Sequence, residues 1–173
     1  LQSRMMMADQ PECKPYERPW RDWAVDLNLE DQWLERLNDL ETLSLASVCE
    51  GHLDVQPNSV KRRPCIILRL KKDYMRPLTV RWYNLKEALS AEIERIWSDN
   101  ETIIEFEIQH RLVKKDDYPA DIEDIIIRIT SERRRDMVIL PEWIVLWFRL
   151  SLIRIRVFDR FMKTLIIIEE EQG

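Results

Sequence analysis

The chain has 173 residues, 45% of them apolar and 34% charged, with 27 basic and 32 acidic side chains and a formal net charge of −5. That length supports one domain around one core, and the acidic balance argues against binding nucleic acid through bulk charge. The only two glycines are Gly51 and Gly173, which excludes the glycine-rich phosphate loops G-x-G-x-x-G and G-x-x-x-x-G-K, and H-E-x-x-H and G-x-S-x-G are absent too.

Residues 1 to 19 are polar and carry Pro11, Pro15 and Pro19. They predict a mobile tail ahead of a single domain over residues 20–173. Trp33, Leu34, Leu37 and Leu40 recur at helical spacing and predict a first helix over residues 30–40. Leu43, Leu45, Ser47 and Cys49 alternate with Ser44, Ala46 and Val48, the pattern of a strand. The polar stretch from His52 to Pro64 reads as a long exposed loop. Ile66, Leu68 and Leu70 then alternate with Ile67, Arg69 and Lys71 in a second strand. Leu78, Val80 and Trp82 predict a third, forming a hairpin on the second.

Asn84 with Glu87 three residues later is a helix-start signal, and Leu85, Leu89, Ile93, Ile96 and Trp97 give that helix its apolar stripe. In residues 102–112, Ile104, Phe106, Ile108, His110 and Leu112 share one face, and Glu105, Glu107, Gln109 and Arg111 the other. A polar connection through Pro119 leads to a fifth strand over 125–130. Pro141 opens a long last helix to about Ile167, with Arg149, Arg156, Arg160 and Lys163 in one stripe. Its apolar arc, which carries Trp143, Trp147, Phe158 and Phe161, is wider than one sheet covers, which predicts burial in a homodimer. Pro141, Glu142, Arg149 and Arg154 interrupt the apolar run, so no membrane span is expected.

The expected fold is therefore an α+β two-layer sandwich. A mostly antiparallel five-stranded sheet carries helices on one face, in the order α-β-β-β-α-β-β-α. This element order, with the acidic balance and size, resembles the small dimeric chaperones of type III secretion over residues 30–167. The resemblance is one of topology, implies a dimeric interaction protein, and transfers no functional residue.

The sharpest local motif is Cys49-Glu50-Gly51-His52. Thiolate and imidazole both bind Zn²⁺, and Gly51 permits the turn that would bring them together. His110, Cys65 and Glu50 are the candidate third ligands, and His110 stands out because it lies on the apolar face of its strand. The bland reading makes Gly51 a turn, Cys49 a small buried hydrophobe and His110 a core histidine. A thiol–histidine catalytic pair is a further alternative.

In the basic run Lys61, Arg62, Arg63, Arg69, Lys71, Lys72, Arg76 and Arg81, Arg69 and Lys71 fall on the open sheet face expected for Glu105 and Glu107. Cross-strand pairing explains both sets better than a nucleic-acid partner, for which the 61–63 loop is the main candidate. Asp116, Asp117, Asp121, Glu123 and Asp124 read as a solvated hairpin rather than a cation site. Seven tryptophans exceed what a core of this size needs and point to a protein partner or homodimer. The odd set Cys13, Cys49 and Cys65 suits a cytoplasmic location. The expected function is a non-enzymatic, chaperone-like or regulatory interaction module acting as a dimer, with no cofactor. The alternative is a metal- or thiol-dependent enzyme centred on Cys49 and His52, with Zn as its metal.

Overall fold

The structure, a computed structural model, describes residues 10–53, 60–74, 82–98, 102–115, 118–131 and 141–172. It is an α+β fold. A four-stranded antiparallel sheet has the order β3(Leu43–Cys49), β6(Cys65–Leu70), β8(Tyr118–Ser131), β7(Thr102–Lys115). Two antiparallel ribbons stand beside it: β1(Glu17–Trp20) with β2(Trp23–Asp26), and β4(His52–Leu53) with β5(Val60–Arg62). The helices are α1(Asp31–Asn38), α2(Trp82–Ile96) and α3(Pro141–Gln172).

One face of the sheet makes the core. Ile66, Leu68 and Leu70 of β6 and Ile125, Ile127 and Ile129 of β8 are buried in one cluster. Trp33, Leu34 and Leu37 of α1, Leu89 and Ile93 of α2 and Phe148, Leu152, Ile155 and Phe158 of α3 complete it. The Trp33 ring stacks on Phe148 with centroids 5.4 Å apart, and Trp97 meets Phe158 edge-on at 5.9 Å. Trp33 of α1 and Trp97, just past the end of α2, thus each grip α3 through an aromatic pair.

A buried carboxylate reinforces that grip. Asp159 of α3 accepts hydrogen bonds from the backbone N–H groups of Glu41 and Thr42, at 2.9 and 2.8 Å, and from the Thr42 hydroxyl. One turn on, Lys163 Nζ lies 2.8 Å from Glu41 Oε1. The last helix is thereby locked to the turn that enters β3.

The opposite face carries charge, as the alternation requires. Arg128 lies between Glu105 and Glu107, at 3.8 and 3.0 Å, and Arg69 Nε is 3.4 Å from Asp124. Asp124 is buried, so of the acidic cluster this member serves the sheet. Asp116 and Asp117 lie outside the described residues, as do the side chains of Asp121 and Glu123.

Several expectations change. Strand β1 begins at Glu17, three residues inside the expected tail. Arg21, at φ 52°, makes the tight link from β1 to β2. Arg18 and Arg21 tie the ribbon to α1 through Asp31 and Glu35, both at 2.6 Å. The loop expected from His52 contains the β4–β5 ribbon instead. Residues 75–81, most of the expected third strand, lie outside the described residues. Trp82 starts α2, so Asn84 falls inside the helix rather than capping it. Both edges of β6 are taken, by β3 and β8, and among the described residues the main sheet has four strands where five were expected. Strands β7 and β8 run on through the expected connection, with Pro119 opposite Lys114.

Candidate metal centre

The fold brings the Cys-Glu-Gly-His motif together through two local irregularities. Strand β3 shifts register between Leu45 and Ser47. After this bulge Val48 pairs with Ile66 on the core face, and Cys49 pairs with Cys65 on the other. The second irregularity is Gly51, at φ +91°, where a Cβ would come within 2.8 Å of Pro64. Only glycine fits both that dihedral and that space. The turn it makes carries the chain from β3 into β4 and folds His52 back toward Cys49.

A third side chain completes the group. Asp26 ends β2, is buried, and donor atoms of Asp26, Cys49 and His52 all lie within 4.8 Å of one another. Asp26 Oδ2 accepts the Glu50 N–H at 2.9 Å, and Oδ1 faces His52 Nε2 at 3.5 Å. The Gly51 N–H donates to Cys49 Sγ at 3.4 Å. Tyr16 covers the imidazole at 5.2 Å between ring centroids.

The electrostatics favour a neutral thiol here. The Cys65 side chain, hydrogen-bonded to Cys49, raises the thiol pKa most. Burial raises it further, the Gly51 amide lowers it, Asp26 raises it and His52 lowers it. The Glu50 carboxyl is also pushed up, first by burial and then by Asp26, against the Asn28 hydrogen bonds and His52.

Among the expected ligands, Cys49 and His52 are brought together and Cys65 lies beside Cys49. Glu50 instead accepts from Asn28 at 3.3 Å. The His110 side chain lies outside the described residues, but its backbone position is fixed. Cys49, Cys65, Thr130 and Ile103 form one row across the sheet, and His110 sits opposite Glu123, seven residues along β7 from Ile103 (110 minus 103). At roughly 3.3 Å per residue that is about 23 Å from the row, and the strand is three places away at about 4.8 Å each. His110 is not brought into this group. Asp26 is the residue that local spacing missed, because it arrives from a ribbon 23 positions before Cys49 (49 minus 26).

The chemistry available is metal binding, since carboxylate, thiolate and imidazole are all ligands for Zn²⁺. A cysteine nucleophile is less well served, because it needs a lowered thiol pKa and some access, and Cys49 is buried with its pKa raised.

A second surface lies on α3. Trp147 and Phe158, which widened the predicted apolar arc, are buried in the chain's own core, and Trp143 and Phe161 are half-buried against it. Leu146, Leu150, Ile153 and Val157 remain exposed, at 53, 41, 62 and 40%. They lie on the side of the helix away from the buried residues, bordered by Arg149, Arg156, Arg160 and Lys163. Among the described residues, no helix is long and apolar enough to cross a membrane.

No family model, curated protein or solved structure matches this chain, so the function is argued from these residues.

Proposed function

We propose that this chain is a non-enzymatic interaction module, chaperone-like or regulatory, that works as a homodimer through the exposed face of α3. The observation that carries the reading is the exposed seam of Leu146, Leu150, Ile153 and Val157. Its four-three-four spacing is that of a coiled-coil seam, and it continues through Arg160, Thr164, Ile167 and Glu171, all exposed. A monomer seldom leaves such a row in water.

A second copy suits this seam in the antiparallel sense. The spacing is symmetric about the point between residues 158 and 159. A two-fold axis there sets Leu150 against Ile167, Ile153 against Thr164 and Val157 against Arg160. Charge supports that direction. The basic stretch starting at Arg149 is met by the partner's acidic end, Glu170 and Glu171, whereas a parallel pair would set arginine against arginine. The odd set of free cysteines supports a reducing, cytoplasmic setting. The enzymatic alternative at Cys49 and His52 is weaker, because the thiol is held neutral and buried.

Disulfide trapping tests the pairing. In a Cys13→Ser background, a mixture of Ile153→Cys and Thr164→Cys chains should form the mixed disulfide under mild oxidation. Same-site Ile153→Cys disulfides, or no trapped dimer, would overturn the antiparallel homodimer.

A further inference from the structure

The Asp26, Cys49 and His52 group lies apart from the α3 seam and does not depend on it. Its three side chains come from three separate segments, the end of β2, the end of β3 and the start of β4. Sequence proximity alone therefore does not explain the convergence. Two of the three are buried, His52 is half-buried, and donor atoms of all three lie within 4.8 Å of one another. Four features build the group: the register shift in β3, the positive-φ turn at Gly51 packed close to Pro64, the amide donated to the sulfur, and the amide that fixes one Asp26 oxygen.

We propose that Asp26, Cys49 and His52 bind a divalent transition-metal ion, Zn²⁺ by donor type, with water as the fourth ligand. One carboxylate, one imidazole and one thiolate supply three of the four ligands of a tetrahedral site. Metal binding itself deprotonates the otherwise neutral Cys49 thiol, and the Gly51 N–H donated to the sulfur stabilises the thiolate that forms. Asp26 already holds one oxygen on the Glu50 amide, so the other is oriented before the ion arrives. The bond breaking and forming is simple: the Cys49 thiol loses its proton to water as its sulfur binds the metal, and no electron is transferred.

The ion would staple the β1–β2 ribbon to the sheet. Without it, the ribbon is held by the Arg18 and Arg21 ion pairs and by Trp20 and Val25 in the core. Metal binding should therefore raise the unfolding temperature.

The test uses untagged full-length protein, stripped with a chelator and titrated with Co²⁺ and then Zn²⁺. One equivalent of Co²⁺ should give sulfur-to-cobalt charge-transfer and tetrahedral ligand-field absorption, both displaced by Zn²⁺. Cys49→Ser, His52→Gln and Asp26→Asn should each weaken Zn²⁺ binding at least tenfold, and His110→Gln should leave it unchanged. Asp26→Asn retains an acceptor for the Glu50 amide, and His52 is only half-buried, so loss in these variants would not reflect unfolding. Circular dichroism of each apo variant checks that directly. Absence of stoichiometric Co²⁺ absorption in the wild type, or its full retention in Cys49→Ser, would overturn the proposal.

Discussion

At the scale of single residues, burial and hydrogen bonding decide what each side chain does. Cys13 is exposed, whereas Cys49 is buried with its thiol pKa pushed up by Cys65 and by burial. An alkylating reagent at pH 8 should label Cys13 quickly and Cys49 only on unfolding, as tryptic mass spectrometry would show; equal rates would contradict the buried, neutral thiol. The sign for stability follows. The folded thiol stays protonated where the unfolded one ionises, near pH 8.5. Its contribution is full below that pH and is lost as pH rises above it. Gly51→Ala forces a side chain into positive φ and into Pro64, and should cost about 1–2 kcal/mol or more in urea unfolding. Asp159→Ala strips the acceptor from two backbone amides and a buried hydroxyl, and should cost roughly 2–4 kcal/mol. Asp159→Asn, which keeps an acceptor, should cost less.

At the scale of elements, alternation was legible wherever a strand buries one face. The β6 and β8 patterns, and that of residues 102–107 in β7, predict the faces seen, because slipping by one residue would exchange apolar side chains for charges. The side chains of Ile108, His110 and Leu112 lie outside the described residues. Ile104 and Phe106 are packed against the core but only half-buried, since β7 is an edge strand. Leu68→Ala, in a central strand with no exposure, should therefore cost about 2–5 kcal/mol, and Phe106→Ala less than its size suggests. Calorimetry giving the reverse order would contradict the sheet order. The β3 bulge was not legible, because Ser47 and Cys49 suit either face and only pairing with β6 decides. The ribbons were hidden for a related reason. Pro19 argues against a strand in general, yet is tolerated in a two-stranded ribbon with a free edge. Asp26 could not be joined to Cys49 by spacing, since a long-range contact of the ribbon creates their proximity. The motif showed that Cys49 and His52 could converge, and the tertiary fold supplied the carboxylate.

At the scale of the whole molecule, the width of the α3 apolar arc was visible in the sequence, but its division between core and surface was not. Half of the predicted interface, Trp147 and Phe158, went into the core, Trp147 against Phe148 and Phe158 against Trp97. What remains outside is the narrower seam from Leu146 to Val157, flanked by arginines on a helix clamped at Asp159. The metal staple and the dimer seam are separable: chelation should leave the mass unchanged, and seam variants should leave Co²⁺ binding unchanged. Sedimentation equilibrium of untagged protein across micromolar concentrations tests the central claim most directly. The account predicts a mass of twice 21.0 kDa, reduced to that of one chain by the double substitution Ile153→Glu and Val157→Glu with unchanged circular dichroism. A wild-type mass of 21.0 kDa that does not vary with concentration would contradict it.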